Sequence, residues 1–354
     1  MPTRRQTLAG LLALTTLHSA PGFAQTGGAR AFPYYSGEDA LRGLYASHLP
    51  PLAARFQAQA QALLDTARRH CAGPAAPSEL RAAWRATLLA WAELSTPALG
   101  PVLERRSQRQ IDFWPPRLSL IEKALQRAPR TLADMERVGT PAKGLPALER
   151  LLVGPANPAL CPYIALVADA VAHEAHALRE GFERLAVREW DDDEEAARTA
   201  FGEWINQWLG GLERLRWAHI EQPVQKVRTV GKARTPEFAR LNAADNQAEW
   251  RAQWQALRAQ ARLTPAQQAQ PPLPGQGLIP IEALLMGKGR IALAQRWAAA
   301  LDNADAAFAR LPVAAGEGDW LALARALKAI TSLYQAELAA ALDVPLGFSD
   351  ADGD

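Results

Sequence analysis

The chain has 354 residues, 49% of them hydrophobic and 21% charged. That is enough for a large soluble core and two domains of ordinary size. Lys plus Arg number 39 and Asp plus Glu 37, so no basic field exists to hold nucleic acid or an anionic membrane surface.

Residues 1–24 read as a leader rather than as fold. A basic start, MPTRRQTLAG, runs into the apolar stretch LAGLLALTTLHSA, and Gly22 and Ala24 suit signal peptidase. Thr3-Arg4-Arg5 suits twin-arginine export, with ordinary secretion the alternative. Loss of Arg4 and Arg5 brings the net charge close to zero. No later apolar run is long enough to span a bilayer. The expectation is a soluble protein of the periplasm or cell envelope.

Apolar residues recur at steps of three and four over 53–70, 79–96, 163–186, 197–218, 246–260, 290–311 and 319–342, which predicts helices there. Proline and glycine clusters separate them, and no stretch alternates with period two for long. The class is all-α. Cys71 and Cys161 are the two cysteines. In an oxidising export space two thiols often pair, so a disulfide is the expectation and two separate buried thiols the alternative.

Three further stretches hold titratable groups. His173, His176 and Glu180 in HEAHALRE share a helical face at i, i+3 and i+7. Zinc-protease helices space their histidines by four, so these three read as a solvated or half-buried helix face, with a weak metal site as the alternative. WDDDEE at 190–195 suits the start of the following helix. DADGD at 350–354 lacks the twelfth-position glutamate of a calcium loop, so residues 348–354 read as an acidic tail. No G-x-S-x-G elbow or phosphate-binding glycine loop is present.

Two eleven-residue strings resemble each other: GLPALERLLVG from Gly144 and GLIPIEALLMG from Gly277. Pro-Val pairs at 101–102 and 223–224 precede them. This predicts two related helical-bundle halves, 35–190 and 191–347, each with a Pro-Val loop and a short glutamate helix. Pro146 and Pro280 suit a first helical turn, while Gly154 and Gly287 suit the exits. Glu149 and Glu282 then read in one of two ways. Each is a helix-start carboxylate favoured by the dipole, or each is a buried carboxylate in an apolar setting that needs a partner. The second reading places a polar site near the boundary between halves, with Trp114 as a pocket-lining or packing residue.

Gly100-Pro101-Val102, IDFWPPR with Phe113-Trp114-Pro115, the string from Gly144 and the C-terminal VPLGFSDADGD resemble the imelysin family of bacterial envelope proteins. That family is sometimes classed as peptidases and often linked to iron uptake. The resemblance covers nearly all of the chain after the leader. It implies a G-x-H-x-x-E motif at the first string. Gly144 and Glu149 fit it, but Pro146 stands in the histidine's place, and Ile279 does so in the second string. Proline can neither ligate a metal nor transfer a proton. The expectation is therefore a non-catalytic protein binding a metal or a metal-carrying ligand, with iron or another divalent ion as cofactor and an envelope partner or small ligand. A metallopeptidase is one alternative and a ligand-free helical scaffold another.

Overall fold

The computed structural model describes residues 31–345 and 347, apart from 74, 154–156 and 231–234. The leader, Gly154 and the acidic tail lie outside them. Among the described residues there is no strand. The described residues from Phe32 onward form one compact unit.

Helix α1 (Gly37–Arg42) opens on Ser36, whose hydroxyl accepts the Asp39 N–H at 3.1 Å. It passes through a π-helical stretch, Gly43–His48, into α2 (Leu49–Cys71). Helix α3 (Pro77–Leu94) begins with a proline, which needs no partner there. Four short helices follow: α4 (Pro101–Glu104), α5 (Ser107–Ile111), α6 (Leu118–Arg127) and α7 (Leu132–Glu136). The first string forms α8 (Gly144–Leu151), which leads to α9 (Cys161–Ala186). Helix α10 (Glu194–Glu213) is capped by Asp193 from the acidic run. It continues through a second π-helical stretch, Arg214–Glu221, into α11 (Gln222–Val230). Then come α12 (Ala243–Ala261), α13 (Pro265–Ala269) and α14 (Ile281–Gly287), which holds the second string. Helices α15 (Ile291–Arg310) and α16 (Glu317–Leu333) follow, and a third π-helical stretch, Tyr334–Leu338, leads into α17 (Ala339–Ala341).

The seven helices expected from periodicity are α2, α3, α9, α10, α12, α15 and α16. Helices α1 and α4 to α7 are too short for periodicity to reveal. One expectation needs correction. Pro101 starts a short helix after a turn, but Pro223 is no loop residue: it lies in the first turn of α11. The π-helical stretch before it ends with the Gln222 N–H bonded back to the Trp217 carbonyl. A proline just after that point removes no needed donor.

Cys71 ends α2 and Cys161 begins α9. The two form a disulfide with Cα atoms 5.4 Å apart, within the span such a bond requires. The N-terminal segment packs far along the sequence. A Cβ on Gly43 would fall 1.9 Å from the Gly277 carbonyl oxygen, and one on Gly287 would fall 2.3 Å from that of Pro33. Residues 33–43 thus lie directly against the second string.

Helix α12 organises the centre. Trp208 packs against Trp297 at 5.1 Å and Tyr334 at 6.1 Å between ring centroids. A buried indole usually finds a partner for its N–H, though that of Trp250 has none among the described residues. Trp208 and Trp297 donate to the Leu257 and Ala261 carbonyls at 2.8 and 3.1 Å, and Trp204 donates to Gln260 Oε1 at 2.7 Å. The other end of α12 is polar yet buried: Asp245, Asn246, Gln247, Glu249 and Gln253 are all shielded from solvent. Each has a partner. Arg85 reaches Asp245 at 2.7 Å, Gln247 donates to the Pro312 carbonyl at 2.9 Å, and the rest belong to the site.

Candidate functional site

The two glutamates are both buried, at 8% and 7% exposure, but they do not meet. Glu149 Oε1 accepts the Leu241 N–H at 2.8 Å, just before α12 begins. Glu282 Oε2 accepts the Leu263 N–H at 2.8 Å, just after α12 ends, and both its oxygens take Arg262 Nη1 at 2.9 and 2.7 Å. The 19 residues between these clamps span about 28 Å of helix. One shared site at a boundary is therefore not what this pair builds.

Their surroundings also differ. Glu282 lies in the first turn of α14, where the dipole favours it, and it has its arginine. Glu149 lies in the second turn of α8 and has a backbone donor instead. Burial raises its carboxyl above the ordinary range, against the lowering effect of Leu241 N–H and the charge of Arg240.

Arg240, one residue before Leu241, is turned to other carboxylates. Its side chain is 1% exposed. Nε donates to Glu249 Oε2 at 2.8 Å, and Nη2 donates to Glu249 Oε1 at 2.5 Å and Asp112 Oδ2 at 2.7 Å. Asn246 holds the same residue's backbone, with its Oδ1 accepting the Arg240 N–H and its Nδ2 donating to the carbonyl, both at 2.8 Å. Burial opposes the guanidinium charge, but Asp112 and Glu249 outweigh it, so Arg240 holds its proton well above the usual arginine range. Arg240 Nη1 and Asp112 Oδ1 are buried with no hydrogen-bond partner among the described residues.

Asp112 comes from the IDFWPPR stretch, positioned by the first string. Gly144 has φ +76°, and a Cβ there would fall 2.4 Å from the Ile111 carbonyl oxygen. Only glycine allows this approach. Gly277 has φ +74° with open space around it.

Asp112 and Trp114 line a cavity of about 280 Å³ together with Gln108, His219 and Gln253. Trp114 is 41% exposed at its mouth. His219 Nδ1 lies 3.1 Å from Gln253 Oε1. Because that oxygen only accepts, Nδ1 carries the proton and Nε2 is left as an acceptor. Burial lowers the His219 pKa, with Glu249 opposing it, so the ring is neutral at pH 7. A neutral acceptor, side-chain amides and an aromatic edge suit a small polar ligand.

The remaining sequence candidates lie elsewhere. His173, His176 and Glu180 are exposed on α9, and His176 contacts Gln57 at 2.9 Å and Glu180 at 3.2 Å. Their neighbour Glu174 is the buried member of HEAHALRE. It takes Arg105 through Nε at 2.9 Å and Nη2 at 2.7 Å, and Ser107 Oγ at 2.6 Å. Among the described residues, no three His, Cys, Asp or Glu side chains converge as a metal site would require. Pro280 is the residue before α14 and Pro146 lies inside the first turn of α8. Sequence reading missed Asp112, Arg240, Glu249 and His219. The available signal was the polar series 246, 249, 253 and 260, which falls on one side of α12 at helical spacing.

Among solved structures, an imelysin-like protein from Psychrobacter arcticum 273-4 matches with a TM-score of 0.69 and 20% identity, covering 90% of this chain and 100% of that one. A protein from Parabacteroides distasonis ATCC 8503, provisionally named iron-regulated protein A precursor, matches with a TM-score of 0.70 and 13% identity, covering 88% and 96%. At such identities the likeness concerns the fold. No curated protein matches the sequence. The imelysin family model matches residues 47–344, and with that span covered this chain belongs to the imelysin family.

Proposed function

We propose that this chain is an exported, non-catalytic envelope protein that binds a small polar, metal-carrying ligand in connection with iron acquisition. The observation carrying this reading is the cavity beside Trp114, backed by the Asp112–Arg240–Glu249 network. A buried charge network of this kind is costly to build, and here it stiffens the wall of a cavity that holds a neutral histidine. Export rests on the leader read at residues 1–24. The iron connection rests on the family resemblance and on the name of the Parabacteroides protein. Absence of catalysis rests on Pro146.

Calorimetric titration with ferric citrate, with citrate alone and with ferric ion tests the binding. Saturable binding that Trp114→Ala and Gln253→Ala weaken, in variants that melt like the wild type, supports the reading. A folded protein that binds none of the three sinks it.

We also propose that 35–190 and 191–347 descend from one helical unit. Two local likenesses support this: Gly144 and Gly277 share their backbone conformation, and Glu149 and Glu282 each accept a leucine N–H at 2.8 Å. Superposing the halves on these strings tests it, and flanking helices left unmatched would refute it.

A further inference from the structure

A second cavity, of about 410 Å³, opens between the end of α9 and the first turns of α10, and shares no lining residue with the Trp114 cavity. Trp190, itself buried, stands in its wall. Tyr45 stacks on the indole with centroids 5.2 Å apart, and the Arg188 guanidinium lies 4.5 Å from the ring centre.

Glu104 from α4 and Glu203 from α10 face the same space. Neither has an ion-pair partner among the described residues. Glu203 accepts the Gly100 N–H, yet its carboxyl is raised, by burial first and then by the like charge of Glu104. Tyr45 is 2% exposed and its hydroxyl has no hydrogen-bond partner among the described residues. Burial and both glutamates raise its pKa, so the phenol keeps its proton. Gly100 holds this corner open. It has φ +47°, and a Cβ there would fall 3.0 Å from Leu185 and 3.6 Å from the Tyr45 hydroxyl.

Two carboxylates without a cation among the described residues and an unpartnered phenol, beside an aromatic wall, make a seat for positive charge. A hard metal ion wants six or more oxygens, which this corner does not gather. A primary ammonium has three donors, and two carboxylates plus a phenolic oxygen supply three acceptors. Arg188 already covers the ring, so a second cation is drawn to the carboxylate end. We propose that this cavity is a second binding site, for a small organic cation whose protonated amine sits among Glu104, Glu203 and the Tyr45 hydroxyl, with its apolar part against Leu185.

The test is an NMR titration at neutral pH that follows the Trp190 indole N–H, with n-butylammonium, n-butanol and calcium chloride as probes. Saturable shifts with n-butylammonium and none with n-butanol are expected. Glu203→Gln and Glu104→Gln should each weaken binding roughly fivefold or more, and Tyr45→Phe, which keeps the stack, roughly threefold. Melting temperatures verify that the variants fold, and because Glu104 and Glu203 are both exposed, either glutamine variant carries the test should the other fold poorly. No saturable shift with n-butylammonium overturns the proposal. So does saturation by calcium in its place, or unchanged affinity in folded Glu104→Gln.

Discussion

Glu149 and Glu282 hold opposite ends of one helix: the first accepts the N–H of Leu241 before α12, the second that of Leu263 after it. Both take a leucine amide at the same distance, yet only Glu282 has an arginine. The same kind of contact thus has two energetic settings, and substitution should separate them.

Glutamine keeps an acceptor for the leucine amide and deletes the charge. Glu282→Gln gives up the ion pair with Arg262 and should lower stability by roughly 1–2 kcal/mol. Glu149→Gln should leave stability at pH 7 unchanged or slightly higher. The sign follows from burial raising the Glu149 carboxyl. A group raised in the folded state stabilises fully below its unfolded value and loses that contribution as pH rises through its folded value. The wild type therefore bears a penalty at neutral pH that the glutamine variant lacks, and the gap should close as pH falls toward the ordinary carboxylate range. Urea unfolding of both variants across pH checks this. A Glu149→Gln deficit at pH 7 that shrinks on acidification would refute it.

The opening glycines of the two strings should also behave unequally. Gly277→Ala meets no atom and faces only its positive φ, a penalty of about 1–2 kcal/mol. Gly144→Ala must in addition displace the backbone at Ile111. It should lose clearly more stability than Gly277→Ala and disturb the cavity through Asp112. Equal melting temperatures for the two variants would count against the close approach.

Arg240→Met should be severely destabilising, by about 3–5 kcal/mol, because it leaves Glu249 buried without its cation. Adding Glu249→Leu should recover part of that loss, since the orphaned charge goes with it. A double variant less stable than the single one would show that the pair is not the unit of the effect.

Removing the disulfide frees a 90-residue separation in the unfolded chain. Cys71→Ser with Cys161→Ser should lower stability by about 2–5 kcal/mol, read from denaturant midpoints without reductant. Reductant should lower the wild-type midpoint in the same direction and leave the double variant unchanged.

Unfolded protein substrates should not be cleaved above background. Turnover that a chelator abolishes and zinc restores, in material free of host proteases, would overturn the non-catalytic reading.

Sequence alone determined the helical class. Over stretches of about twenty residues the three-to-four spacing is strong, and seven helices lie where periodicity places them. It also showed two glutamates in apolar runs, as helix-start carboxylates or as buried ones in need of a partner, and the tertiary structure decided for burial. What it held back follows from the range of the interactions. The short helices 101–136 are fixed by contacts with distant segments, as where Ile111 meets Gly144, and periodicity has too few residues there to show. The pairing of Arg240 with Asp112 joins residues 128 apart, so no local pattern announces it. Most of all, α12 reads as a polar helix but lies in the interior. Its burial became possible only when arginines, backbone groups and side chains from elsewhere in the chain partnered its carboxylates and amides, and that balance belongs to the tertiary structure.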